Sequence, residues 1–410
     1  MNEARLRELL REVAVPGEER AEQRGLALVE AAFAERAAEA GAQGAAPRRR
    51  PVSLPRLAIA LALVTLLAAL LLSPAGANVR DWVGEVFTSA PKPGPGLAEI
   101  PGGGRLLVES AEGPWVVQPD GSRRLLGAYR EATWSPRGLF VAAVAGDTLT
   151  AVEPDGTPRW SLSGGGPVAD PRWSPSGYRI AYRSGGQLRV TAADGTGDRL
   201  IDGGVAPVAP TWAPSGLHQL AYVDAGGELR LADTESGRSV GAGIAPPGLI
   251  ALEWAGDWIL QASPTTLGLR PIRRTKLAIA PGVGTARIGL ELPPGSEVLD
   301  AAFAPDGSRV AAAVRLTRGG RERSAVLLYA LDKNAAPRRL LTLPGRLPEL
   351  TWAPDSQRLL VAWPSADQWL FLPIGGPGRP RALSGIAAAF APGQAAAPFP
   401  RLEGWCCHAR

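Results

Sequence analysis

Histidine, methionine, lysine and cysteine are nearly missing from this chain of 410 residues. It has two histidines, one methionine, three lysines (Lys92, Lys276 and Lys333) and two cysteines, both within GWCCHAR at 404 to 410. Each shortage excludes something. So few cysteines rule out a scaffold built from disulfides. With only His218 and His408, no His/Cys zinc spacing exists, and Cys406, Cys407 and His408 are too close in sequence to enclose an ion by themselves. The Asp-Gly pairs at Asp120, Asp155, Asp194 and Asp306 supply one carboxylate per turn, which makes hairpins and not a calcium loop. No phosphate loop or dinucleotide fingerprint is present, so no cofactor is expected. Gly237 to Gly241 (GRSVG) matches a nucleophile elbow in letters only. AGIAPPG follows it where a helix would be required, so it reads as a turn. His218 reads as a surface residue at a blade edge, and the chain reads as a non-enzyme.

What is abundant points elsewhere. Fifty glycines, 39 prolines and 12 tryptophans accompany 45% apolar residues, a mixture suited to many short strands joined by tight turns around a real core. The net charge of +5 and pI near 9.6 come from arginines scattered singly along the chain. A nucleic-acid surface would gather them on one face, so no nucleic-acid partner is expected.

One long apolar run interrupts this pattern. Leu57 to Leu72 (LAIALALVTLLAALLL) is uncharged, and with its flanks from 52 to 77 it has the length of a membrane-spanning helix. Arg48, Arg49, Arg50 and Arg56 precede it, so the positive-inside rule leaves 1 to 47 cytoplasmic and the rest extracytoplasmic in a single-pass membrane protein. Ala75-Gly76-Ala77 leaves cleavage after Ala77 as the alternative. Residues 78 to 96 follow as a juxtamembrane helix, with Val79, Trp82, Val83, Val86 and Phe87 on one face, and a Pro/Gly linker. Residues 1 to 47 hold nine Glu against six Arg, and two short amphipathic helices there want a partner to cover their apolar stripes.

Beyond position 97 the sequence repeats itself. WSPRG, WSPSG and WAPSG begin at Trp134, Trp173 and Trp212, FAPDG at Phe303 and WAPDS at Trp352. WAGD at Trp254 and FAPG at Phe390 are weaker copies. The repeat residues are Trp134, Pro136 and Gly138; Trp173, Pro175 and Gly177; Trp212, Pro214 and Gly216; Trp254; Phe303, Pro305 and Gly307; Trp352 and Pro354; Phe390 and Pro392. Their spacing of about 40 to 50 residues marks a repeat architecture. Within one period Trp173 closes a strand and Pro175 and Gly177 suit a turn. Tyr178 to Arg183, Leu188 to Ala192 and Arg199 to Ile201 then make three more strands, with Asp194-Gly195 as a hairpin signal. Four antiparallel strands per period make one propeller blade. The rings are read as wedges between blades, worth a few kcal/mol each at about 25 cal/mol per Å².

Trp173 to Ile201 resembles the TolB-like β-propeller repeats, relatives of the WD repeats, whose pattern is Trp-Ser-Pro-Asp-Gly, then Ile-Ala-Tyr, then Asp-Gly. The resemblance covers 103 to 393 and departs most between Trp254 and Asp300. It implies an all-β propeller. Arg105 to Ser110, Trp115 to Gln118 and Arg123 to Leu126 look like a blade without its first strand, and Ile386 to Pro392 is expected to supply it. That predicts seven blades, with six or eight as alternatives, in a propeller over 97 to 393 and a separate tail over 394 to 410. Outside the membrane, Cys406 and Cys407 are expected to be oxidised, with each other or between chains. The whole reads as a membrane-tethered module that binds a protein or an envelope component. The alternative is a transmembrane signalling regulator resembling membrane-bound anti-sigma factors, with the propeller as sensor and a cytoplasmic partner on residues 1 to 47.

Overall fold

The computed structural model describes residues 97, 99–214, 218–274, 279–281, 287–318, 321–331, 336–375, 378–391 and 398–407. The expected cytoplasmic helices, membrane span and juxtamembrane helix, the linker, Gly216, Pro392 and His408 lie outside the described residues. Among the described residues no helix is long and apolar enough to cross a membrane.

The described strands form seven antiparallel sheets. Blade 2 runs Arg130–Trp134, Val141–Ala145, Thr148–Val152 and Pro158–Ser163 from first strand to last. Blade 3 begins at Val168–Trp173 and blade 4 at Thr211–Trp212. Blade 5 begins at Ala251–Ala255, blade 6 at Ser296–Phe303 and blade 7 at Leu350–Trp352. Blade 1 is composite: Arg401–Cys406 pairs with Arg105–Ser110, which is followed by Gly113–Val117 and Arg123–Leu125. The structure is therefore a seven-bladed β-propeller.

The ring closes through a different segment from the one the sequence suggested. Ile386–Phe390 is a short helix, not a first strand. Its three central alanines favour helix, and Ile386 and Phe390, four apart, bury on one face. Phe390 still reaches the Leu106 neighbourhood, packing against Trp115 and Trp369 at centroid distances of 5.8 and 5.5 Å. The closing strand is RLEGWC, and Trp405 stands where the other blades carry the repeat ring. The propeller therefore takes in Arg401–Cys406, beyond the 97 to 393 that the sequence suggested.

The repeat rings do what their size predicts. Seven buried clusters lie between successive blades, and each contains or borders one ring. Trp173, for example, packs among Ala142, Val144 and Leu149 of blade 2 and Ile180 and Tyr182 of its own blade. The remaining seams hold Trp134, Trp212, Trp254, Phe303, Trp352 and Trp405 in the same way. The turns match too: Gly138, Gly177 and Gly307 take φ of 63°, 78° and 70°. In blade 7 Ser356 adopts that conformation at φ 57°, and its Oγ accepts the Asp306 N–H at 3.0 Å. Blade 5 dispenses with the proline turn, joining Ala255 to Trp258 by a two-residue hairpin. The 49-residue spacing of blade 6 is absorbed by a long hairpin, Arg309–Arg318 with Arg321–Ala330.

Trp405 fills the seam where the two ends of the propeller meet, and it is 7% exposed. Trp405→Ala is expected to lower stability by about 3–5 kcal/mol, as large a loss as in any internal blade, read from urea unfolding followed by tryptophan fluorescence. A loss under about 1 kcal/mol would mean that Arg401–Cys406 does not close the ring.

Candidate functional site in the central channel

First strands line the axis of a propeller, so their side chains make the channel wall. Four acidic residues here stand three positions before a repeat ring: Glu131 before Trp134, Asp170 before Trp173, Asp300 before Phe303 and Glu349 before Trp352. Glu253 and Glu403 stand one and two positions before theirs. This acid-before-ring pattern was the sequence signal for the wall, and attention to the turns alone passes over it.

The carboxylates act across the seams. The Asp170 N–H donates to Glu131 Oε2 at 2.6 Å, and the Glu131 N–H donates to Glu109 Oε2 at 3.1 Å. The Phe303 N–H donates to Glu253 Oε2 at 2.6 Å, the Leu350 N–H to Asp300 Oδ2 at 2.9 Å and the Leu402 N–H to Glu349 Oε2 at 2.7 Å. Thr211 Oγ1 serves in the same way for the Trp254 N–H at 3.0 Å, and Trp212 Nε1 donates to the Arg172 carbonyl at 2.9 Å. Every seam of the ring thus carries at least one clasp from a side chain of one blade to the backbone of its neighbour. Bulges free the donors in blades 2 and 3. Glu131 and Asp170 take φ of 49° and 53° beside register shifts, turning their N–H groups out of the ladder and toward the preceding blade.

Cavities occupy both ends of the channel and share Glu403. The first-strand starts surround one of about 530 Å³, with Arg172, Glu253, Asp300, Glu349 and Arg401 in its wall. Arg401 meets Glu349 at 3.3 Å and Glu403 at 3.5 Å. The other, of about 910 Å³, lies where the first strands end, among Trp134, Pro136, Leu139, Pro305, Pro354 and the Cys406–Cys407 disulfide. Pro136, Pro305 and Pro354 thus line one mouth, and the exposed Pro175 and Pro214 lie on the same turn face outside its lining. Burial raises the carboxyl groups along the wall, Glu253 to about 7 and Asp300 to about 7, where the neighbouring Glu349 adds repulsion. Glu349 and Glu403 are also held above the ordinary range, mainly by burial.

The other candidate residues are dispersed. His218 is an exposed turn residue paired with Glu235 at 3.0 Å. Ser239 of GRSVG opens the outer strand Ser239–Ile244 rather than lying in a turn, and it accepts a bond from Arg230 Nε at 3.0 Å. Asp120, Asp155, Asp194 and Asp306 each accept the N–H two residues on, as turn formers do. Among the described residues no three His, Cys, Asp or Glu side chains are grouped to hold a metal ion.

No protein-family pattern matches the chain, and no curated protein matches it either. The chain is similar at low identity to several solved structures. The β-propeller domain of Cps50 (Swd1) from Myceliophteria thermophila is 12% identical over 62% of this chain and 85% of that one, with a TM-score of 0.44. A putative 6-phosphogluconolactonase from Bacteroides fragilis is 14% identical over 67% and 92%, at 0.47. An oligogalacturonate lyase in complex with manganese is 11% identical over 67% and 82%, at 0.48.

The raised groups set a pH dependence. Glu253 and Asp300 keep their protons to about pH 7 when folded and release them near the ordinary carboxylate range when unfolded. Between those limits the folded chain binds more protons, so its stability falls as pH rises from about 4 to about 7. Glu253→Gln keeps an oxygen for the Phe303 N–H without the charge. It is expected to flatten that slope and to add about 1 kcal/mol at the alkaline end, discounted for channel water, as measured by thermal melts across this range. An unchanged slope would show that Glu253 does not titrate there.

Proposed function

We propose that this chain is a membrane-tethered, TolB-like propeller that recognises a protein of the cell envelope through the turn face, without catalysing a reaction. The observation that carries this reading is the composition of that face. Leu139 and Tyr178 occupy the same position after the turn glycine in adjacent blades and are 60% and 76% exposed, and Leu139 lines the 910 Å³ mouth. Large apolar side chains at equivalent turn positions present a surface that a partner would cover, and turns that differ between blades are where propellers vary without disturbing the core. The channel carboxylates support the non-catalytic part, since five of them are already engaged as backbone acceptors. Tethering rests on the apolar run and its preceding arginines.

A photo-crosslinking amino acid placed at 178, and separately at Ala225 on the opposite face, tests the recognition reading in the full chain in native membranes. One discrete adduct is expected from 178, none from 225, and loss of the adduct when Leu139→Asp is added. Equal labelling from both positions, or none from either, overturns it. An adduct on residues 1 to 47 that changes when the propeller is occupied would favour the signalling alternative.

A further inference from the structure

Cys406 and Cys407 are bonded to each other, at the last residue of the closing strand and the residue after it. Cys406 is buried and faces Arg105 across the sheet. Cys407 is partly exposed and held at φ 45°, a left-handed conformation that is unfavourable for a residue other than glycine.

Three features make this bond addressable. Both cysteines line the 910 Å³ cavity, so an incoming thiol has a path to Cys407 Sγ. A guanidinium sits beside the sulfurs: Arg105 Nη2 donates to the Gly138 carbonyl at 2.6 Å, and a Cβ on Gly138 would collide with Nη2 and lie 3.0 Å from each sulfur. A cation there favours thiolate over thiol. Finally, Cys406 Sγ and Cys407 Sγ lie 3.8 and 3.5 Å from the carbonyl oxygens of Ser135 and Pro136 in blade 2. The disulfide ring thus holds both sulfurs against the blade 2 turn.

We propose that Cys406–Cys407 is a thiol–disulfide exchange site, reduced by a dithiol, that sets how firmly the closing strand is latched to blade 2. The first thiolate of the dithiol attacks Cys407 Sγ, forming a mixed disulfide and breaking the Cys406–Cys407 bond. The electron pair leaves on Cys406 Sγ beside Arg105. The second thiolate of the reductant attacks its own sulfur in the mixed disulfide, closing the oxidised reductant and releasing Cys407 as thiolate. The two protons given up by the dithiol return to the two cysteines, so two electrons and two protons are transferred in all. Reduction removes the covalent ring that confines Cys407, and its backbone can leave the left-handed region and the blade 2 turn. The ladder between Arg401–Cys406 and Arg105–Ser110 stays, so the propeller remains folded while the wall of the cavity loosens.

The full chain, in detergent and without denaturant, is incubated with dithiothreitol, quenched with an alkylating agent and weighed intact. Both cysteines are expected to become alkylated together, with the circular dichroism unchanged. Arg105→Gln is expected to slow the first step about tenfold, and Arg105→Lys to restore most of the rate, because charge and not packing is at issue. Should Arg105→Gln not fold, the wild-type rate carries the same test, since added salt is expected to slow attack by an anionic thiolate drawn to Arg105. Alkylation only after denaturation overturns the proposal, as does a rate indifferent to both Arg105 and salt. No readout here involves a binding partner, so this outcome is separate from the fate of the recognition reading.

Discussion

Among the described strands, the ladder between Arg401–Cys406 and Arg105–Ser110 is the one pairing that joins segments far apart in the chain. Its Trp405 Nε1 reaches the Gly103 carbonyl across 302 positions at 2.9 Å. Every other seam joins blades that follow one another and form with local contacts. A propeller left open at this point would expose two sheet edges and two half-covered seams, which are surfaces that pair with other chains. The buried cluster around Leu106, Trp369, Phe390 and Trp405 therefore completes the cover that all seven blades require.

Two kinds of interaction share the work at each seam, and they are not interchangeable. The rings supply the larger energy, but apolar burial has no direction and tolerates small rotations of one blade against the next. The carboxylate clasps contribute less on balance, about 1–2 kcal/mol each, yet each fixes one backbone N–H of one blade to one side chain of its neighbour. Their cost is the burial of charge, visible in the raised carboxyl groups of Glu253, Asp300 and Glu349. Thr211 and the indole of Trp212 close the two seams of blade 4 without a charge, so the requirement is for a hydrogen bond and not for an acid.

The fold was legible because a bulky ring, a proline and a glycine cannot be exchanged freely: wedge, fixed φ and positive φ each need that residue type. Blades 2, 3, 4 and 6 announce themselves in this way, and blade 7 does so with Ser356 in the place of the glycine. The closing strand was illegible because Cys406 and Cys407 stand where Ser-Pro would be expected, while FAPG at Phe390 imitates the motif in a helix. The channel wall was harder still. An acid three residues before a ring is a common accident in any sequence, and only the alignment of strands around an axis turns Glu131, Asp170, Asp300 and Glu349 into one circle.

Why the cysteines stand at that place follows from the same topology. In six blades the first strand must turn directly into the second, and the repeat turn is needed to reverse the chain. In blade 1 the partner of the first strand comes from residues 105 to 110, so no reversal follows Trp405 and the turn residues are released from their duty. Those positions nevertheless remain at the channel mouth, against the turn of blade 2 and beside Arg105. They are places in the ring where the repeat turn imposes no requirement, and a chemical group can be installed there without breaking the strand pairing that closes the ring.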